Sequence, residues 1–500
     1  MLFLLADMLA AEPPAQAAAW SFDSVRKLAA KTASLDFVPD GELSRNLADL
    51  SYDELRSIRF SPRGSVWRME RLPFQLQFFH PGGIQKDRVK VNLVEGEVVT
   101  PVEFSRDMFE YQGVDIRGRI ADDVGFSGFR VHYPLNKPDY LDELIVFQGA
   151  SYFRALAKKC VYGASARALG LQVAEGKGEE FPRFRQFWVE KPGRESGQLR
   201  LWGLLESESV VGAYEFTILP GADTVMDVRA AVFFRKEVRV LGIAPITSMF
   251  WFGENSHYKF GDFRPEVHDS DGAMIHTGDD EWLWRPLFND TNCFRWSSFS
   301  DHNTKGFGLF QRDRKFDSYE DLEAHYHARP SVWVEPSTNE CWKSGEVRLV
   351  ELPSTTEYGD NVNLFYVPNI PAPAGGAVEF EYRMHWFTDN PNWPLLGRAV
   401  STRVADISYN RKAIRFIIEF SKPAGEAEVD PAGIKIDFAA DRGRILGSFF
   451  QPNEYRSTWR AILDVEAEST NTPVELRCTL RNDSGALTET WVYQWLCRSF

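Results

Sequence analysis

Period-two alternation of polar and apolar positions dominates this chain after its first sixty residues. Arg88 to Val94 alternates polar and apolar, Glu97 to Phe104 is rich in Val, and Gly125 to Tyr133 and Gln198 to Glu206 continue the series. Alternation at this period predicts strands half-buried on one sheet face. Turn signals such as Pro81-Gly82-Gly83 and Pro220-Gly221 punctuate the runs. Many short strands separated by irregular loops predict a large antiparallel β-sandwich. Ala413 to Phe420, Ala461 to Ala467, Val474 to Leu480 and Glu489 to Leu496 read as a second series, of a length that suits a small immunoglobulin-like sandwich. Helices are predicted in three places. One runs over Phe22 to Ser34 with Ser21 or Asp23 as N-cap, and a second starts near Leu55 behind the capping box Ser51 to Glu54. A third covers Leu322 to His327, capped from Ser318 and stopped by Pro330, with His325 and His327 at its end as residues suited to a helix C-terminus.

One long stretch, Ala244 to Phe316, shows neither period. In it Asp262, Glu266, Asp269 and Asp271 alternate with Trp251, Tyr258, Trp282, Trp284 and Trp296 and with Arg264 and Arg285. Loops normally shed Trp and Phe, because exposed aromatic surface is sticky. The stretch therefore predicts loops that line a cleft rather than a linker.

Length and composition refine this picture. Five hundred residues predict two domains. The Asp389-to-Pro394 stretch supplies a boundary, so the expected units are residues 21–393 and 398–500. The hydrophobic share of 44% and charged share of 26% are those of an ordinary soluble protein, whereas 15 Trp within a 14% aromatic share is high. Aromatic faces fill sandwich cores, and they also suit the C–H faces of sugar rings. A net charge of −14 argues against a nucleic-acid partner, which needs a basic face. Residues 1–20 combine a short apolar run with small-residue cleavage sites, the back half of a secretory signal whose missing positive start a truncated or misassigned N-terminus would explain. No apolar run is long enough to span a bilayer. The expected setting is therefore secreted or periplasmic. Five cysteines are too few for a disulfide scaffold and show no zinc spacing, although Cys478 and Cys497 sit in neighbouring strand-like segments and could pair.

Nucleotide-binding, zinc-protease and serine-hydrolase motifs are absent from the sequence. Asp269-Ser270-Asp271-Gly272 resembles a calcium loop only faintly, because the distal ligands do not follow. His257, His268 and His276 are expected to make loop hydrogen bonds, so no metal and no cofactor is expected. Carboxylates among aromatics remain, and glycoside hydrolysis uses an acid and a base of that kind. Asp262, Asp269, Asp271 and Asp360 are the candidates, each of which could also be a turn former bonding its own backbone.

Longer motifs narrow the choice. They are Gly149–Arg154 (GASYFR), Tyr162–Arg167 (YGASAR), Gly178–Phe184 (GEEFPRF), Phe187–Glu190 (FWVE) and Leu241–Phe250 (LGIAPITSMF). Phe263–Gly272 (FRPEVHDSDG), Glu281–Leu287 (EWLWRPL), Gly306–Arg312 (GFGLFQR), Asp321–Tyr326 (DLEAHY) and Arg329–Val334 (RPSVWV) continue them. With these motifs the chain resembles the periplasmic glucan biosynthesis proteins of Gram-negative bacteria, the osmoregulated-glucan G and D type. The resemblance implies a mutarotase-like β-supersandwich followed by an immunoglobulin-like domain. It implies a periplasmic role in making osmoregulated glucans, whose backbone is β-1,2-linked glucose. Some members resemble inverting endo-β-1,2-glucanases with two aspartates, which fall here on Asp269 and Asp360. Asp360 would be the acid and Asp269 the base, or the reverse. Around Asp360 the segment departs from the family pattern, since Gly359 stands before the acid. Trp251, Glu254, Tyr258, Arg264, Trp282, Trp284, Arg285 and Tyr358 are the substrate-binding candidates. Among them Arg264 or Arg285 could orient a catalytic carboxylate, and one of Trp282 and Trp284 should be core. Two other functions fit the same sandwich: a glucan-binding scaffold for a membrane synthase or branching enzyme, and a sugar epimerase, which would want a His beside a Glu.

Overall fold

The computed structural model describes residues 19–113, 117–121, 124–176, 178–337, 340–388, 394–424, 429–470 and 472–497. Residues 1–18 of the signal-like segment and residues 389–393 of the expected boundary lie outside them. The protein is all-β and sandwich-like. Among the described residues two large sheets carry the architecture, one of ten strands and one of fifteen. The ten-stranded sheet passes from Gln75–Phe79 through Gly128–Lys137 and Tyr140–Gln148 to Leu241–Ser248, then Val362–Pro368, Ser344–Glu351 and Arg295–His302. The fifteen-stranded sheet has Ala377–Phe387, Asp223–Phe234 and Val210–Leu219 near its middle. One continuous core joins the inner faces of both, with Phe78, Phe129 and Leu364 from the first sheet against Phe216, Met226 and Phe380 from the second. Burying each such side chain is worth roughly 1.5–3 kcal/mol. Alternation survives where one face meets water: Ala377–Phe387 buries every second residue over its first half.

The C-terminal strands both extend and cap this body. Ala399–Asp406, Ala413–Phe420, Gly443–Asn453 and Thr458–Ala467 form a four-stranded sheet of their own. Lys435–Ala440, Pro473–Asn482 and Thr490–Leu496 instead join the fifteen-stranded sheet, where Leu283 and Trp284 pair in parallel with Thr490 and Trp491. A second core fills the space between, with Met274, Trp284 and Trp333 packed among Phe416, Trp459 and Trp491.

Two of the three expected helices form. Phe22–Ala33 starts at Ser21 and buries Phe22, Val25 and Ala29 against Trp188, Trp202 and Val211. Tyr52–Ser57 has the expected capping box, with Ser51 N–H donating to Glu54 Oε2 at 2.8 Å. A one-turn helix at Arg45–Ala48 was not anticipated.

Three expectations need correction. The Leu322–His327 helix is absent, and only 3-10 turns at Phe316–Ser318 and Tyr326–Ala328 flank its place. Asp321 does not cap a helix; its Oδ1 accepts from the amides of Glu323 and Ala324, and His325 takes a left-handed φ of +50°. Ala244–Phe316 is also not a system of loops. It holds the strands Phe250–Phe252, Gly272–His276, Trp282–Pro286, Arg295–His302 and Gly306–Phe310. Several are buried on both faces, which erases the alternation that marks a strand. Contact there is so close that a Cβ on Gly306 would lie 2.1 Å from the Trp333 ring. Finally, Cys478 and Cys497 are unpaired. Cys478 lies opposite Trp491, whereas Cys497 follows Leu496, whose partner is Pro473. At about 3.4 Å per residue the two are too far apart along the ladder to bridge.

Candidate functional site

The site is built on the end of strand Leu241–Ser248. A bulge shifts its register against Val362–Pro368 between Ile243 and Ile246, and Ala244 within it has a φ of +48°. Bulges bend a strand and re-aim the side chains that follow. Beyond it, Thr247 to Phe250 hold two acidic segments. On one side Asn361 donates its N–H to the Ser248 carbonyl at 3.0 Å. Its buried side chain accepts from Phe250 N–H at 2.8 Å and donates to the carbonyls of Phe250 and Leu352. That clamp presents the preceding residue, Asp360, whose Oδ2 accepts from Thr247 Oγ1 at 3.1 Å. On the other side Asp269 N–H donates to the Met249 carbonyl at 2.8 Å, and the Ser270 and Ser248 hydroxyls share a hydrogen bond of 2.8 Å. Asp269 and Asp360, 91 positions apart, thus branch from one four-residue strip.

Their electrostatics differ. Asp269 is 4% exposed, and Arg329 Nη1 donates to its Oδ1 at 2.6 Å. Burial pushes its carboxyl up to about 6, against the pull of Arg329 and with a further push from the charge of Asp360. Asp360 is exposed, yet the protein around its carboxylate still costs it hydration. That burial raises its pKa, while the Thr247 hydrogen bond and the charges of Arg154 and Arg329 pull it down. Burial likewise raises the Tyr152 phenol, which also feels Arg167 and Asp360. Arg154 lies over the Tyr162 ring at 4.6 Å. Arg154 and Arg329 were not singled out from sequence, although they end GASYFR and begin RPSVWV.

Arg264 does not orient either aspartate. Its guanidinium gathers Asp262, Asp321 and Glu357 at 2.7–2.8 Å, and Glu357 also accepts from the Tyr326 hydroxyl at 2.6 Å. It thereby pins the segment leading to Asp360, and it accounts for Asp262 as an ion-pair partner. Asp271 ties down a distant segment instead, accepting from the amides of Arg312 and Asp313. Trp251, half-buried, stacks on Phe260 at 4.9 Å, and Tyr258 and Tyr358 are 67% and 90% exposed. Trp282 stacks on His276 at 3.9 Å, away from the aspartates.

Two substrate-binding candidates, Trp284 and Arg285, turn out to be interior, and a third, Glu254, is partly buried with its carboxylate already engaged. Trp284 is core, under the Arg312 guanidinium at 3.4 Å. Arg285 and Glu351 form a fully buried pair at 3.1 Å, so Arg285 orients no catalytic group. Glu254 accepts from Ser401 at 2.9 Å and pairs with Arg403 at 3.1 Å, fastening the C-terminal sheet. Burial lifts its carboxyl to about 7, with help from Glu266.

Two carboxylate groups have the spacing of metal ligands. The ligand atoms of Glu266, His268 and Asp271 lie within 4.8 Å of one another, as do those of Glu254, Glu266 and Asp313. His268 bonds Gln311 at 2.9 Å and Glu266 at 3.0 Å through its two ring nitrogens. Burial lowers its pKa, but Asp271 and Glu266 lift it overall to about 9. The imidazolium therefore already supplies the cation that this acidic cluster requires.

Fold and site together define a large all-β protein with a pair of aspartates held among arginines and aromatics. The family described as "Periplasmic glucan biosynthesis protein, MdoG" matches residues 20–495. The chain is 43% identical over 474 residues to a glucans biosynthesis protein G of Bradyrhizobium diazoefficiens, covering 94% of this chain and 92% of that one. It is 41% identical over 500 residues to the protein of the same name from Ralstonia nicotianae, covering 98% and 99%. This chain belongs to the periplasmic glucan biosynthesis protein family.

Proposed function

We propose that the chain works in the periplasm as an inverting endo-β-1,2-glucanase on the backbone of osmoregulated glucan. The observation that carries this reading is the pair Asp360 and Asp269, anchored to the two sides of Thr247–Phe250 and both raised by burial from the ordinary aspartate value. Inversion needs one carboxylic acid to protonate the leaving oxygen and one carboxylate to take a proton from the attacking water. Asp360 is the solvent-reachable partner and is assigned as the acid, giving its proton to the glycosidic oxygen. Asp269, buried and ion-paired, is assigned as the base that takes the water's proton. The water oxygen attacks the anomeric carbon from the opposite face, so the product emerges with inverted configuration. Tyr358, exposed beside the acid, supplies a face for a sugar ring. Residues 21–393 would form a mutarotase-like supersandwich and residues 398–500 an immunoglobulin-like domain.

The burial of Asp269 also favours a second reading. A carboxylate tied to Arg329 could be a structural element of a non-catalytic scaffold, one that holds glucan for a membrane synthase or branching enzyme. Incubation with linear β-1,2-glucan separates the two. New reducing ends from the wild type, with roughly 10²–10⁴-fold loss in Asp269→Asn and Asp360→Asn, are expected of the hydrolase. No reducing ends from the wild type would leave the scaffold. Undiminished activity in either variant would sink the assignment of that residue.

A further inference from the structure

A cavity of about 440 Å³ is lined in part by Trp251, next in sequence to the Thr247–Phe250 strip, and contains neither aspartate of the pair. Its walls come from distant parts of the chain: Trp251 and Tyr258, the Phe288–Thr291 turn, the hairpin carrying Asp406 and Arg411, and the end of the last strand at Tyr493. Its size is within the range that holds a small ligand, roughly 300–1,000 Å³. Its chemistry is mixed in a specific way. Trp251 and Tyr258 offer aromatic surface. At the floor Arg295 and Asp290, both buried, pair at 3.1 Å and cancel each other's charge. Asp406 and Arg411, both exposed, add one charge of each sign at the mouth. Aromatic faces beside balanced, hydrogen-bonding polar groups suit a neutral polyhydroxylated ligand better than an ion or a hydrocarbon.

The cavity is also wired to the site. Asn289 in its wall donates to the carbonyls of Trp251 at 2.9 Å and Ser354 at 2.8 Å, and its Oδ1 accepts from Ser354 N–H. Ser354 belongs to the segment that ends in Asp360. A ligand seated in the cavity would therefore rest against the support of the acid.

We propose that this cavity is a second glucan-binding site, taking a stretch of β-1,2-linked glucan away from the cutting point and shared between the first sheets and the C-terminal strands. The choice of ligand rests on the glucan substrate proposed above. Calorimetric titration of full-length Asp360→Asn protein with linear β-1,2-glucan oligosaccharides tests it, since that background prevents turnover. Two sites per chain are expected. One should vanish, or weaken at least about fivefold, in an added Asp406→Ala/Arg411→Ala pair and in an added Thr291→Trp variant that fills the cavity from an exposed position. A single site in the parent, or two unchanged sites in both variants, would overturn the proposal. The outcomes stay separate from those for hydrolysis. Reducing ends from the wild type with unchanged stoichiometry in the cavity variants would remove only the second site. A second site lost in those variants, with no reducing ends from the wild type, would remove only the hydrolase reading.

Discussion

Arg329 is the residue on which the chemistry of the pair turns, since its charge lowers both carboxyls while its hydrogen bond holds Asp269. Removing that cation raises both pKa values. In the hydrolase reading the base must be ionised while Asp360 keeps its proton, so wild-type activity should pass through a maximum with pH, one limb of it at about 6, where burial places Asp269. Arg329→Met, which removes a cation that lowers both carboxyls, should move the profile to higher pH, and Arg329→Lys, which keeps the charge, should leave it near its place. A pH–rate profile checks this, and a profile unmoved in Arg329→Met would separate Arg329 from the pair. Stability has its own sign. A folded pKa above the ordinary value of 3.8 means that the favourable contribution of Asp269 is complete below that value and is lost as pH rises through about 6. The deficit of Arg329→Met against wild type should therefore widen as pH rises through and beyond about 6. At this scale the sequence was informative for Asp269 and Asp360 only through long motifs, because a lone Asp beside Gly looks the same in a turn as in a site. Trp284 and Arg285 looked like cleft residues because nothing local says which side of a strand faces a second core.

Elements present these residues through backbone clamps, and Asn361 is the clearest. Its side chain satisfies one N–H and two carbonyls around the step from Ser248 to Phe250, in a buried position. Asn361→Ala would leave those groups unpaired, at a cost of about 1–3 kcal/mol. It should also loosen the segment carrying Asp360, so that both thermal stability and glucan cleavage fall. Differential scanning calorimetry alongside the reducing-end assay checks the pair, and full activity in a destabilised variant would show that the clamp does not position the acid. Ala413–Phe420 was bounded to the residue from sequence. Gly272–His276 and Gly306–Phe310 were not, because burial on both faces leaves no alternation. The missing helix near Leu322 has a different cause. Asp321 has the residue type of a capping site, but its oxygens are taken by a local turn and by Arg264, a partner 57 positions away.

In the whole molecule, the C-terminal strands are held to the first sheets by buried charge as well as by shared core. Glu489, with no exposed side-chain surface, accepts from Arg312 Nη2 at 2.9 Å and from Ala399 N–H at 2.7 Å. Arg312 also donates to the Ala399 carbonyl and covers Trp284. One ion pair thus ties strand Gly306–Phe310, strand Ala399–Asp406 and the start of the last strand into a single junction. Such a pair gains little over well-packed apolar groups, because dehydrating two charges offsets most of their attraction, but stranding one member is costly. Glu489→Ala should therefore lose about 3–5 kcal/mol, while the double change Arg312→Met/Glu489→Leu should recover most of it. Urea unfolding followed by tryptophan fluorescence is suited to the measurement, since Trp459 and Trp491 lie in the core beside this junction. A loss below about 1 kcal/mol in Glu489→Ala would mean that the shared core alone holds the two parts. Because the cavity at Trp251 and Arg411 draws its walls from both sides of the same junction, the order of effects matters. Glu489→Ala should weaken oligosaccharide binding there at urea concentrations too low to unfold the first sheets. Binding that persists until global unfolding would place the cavity and the ion pair in independent parts of the fold.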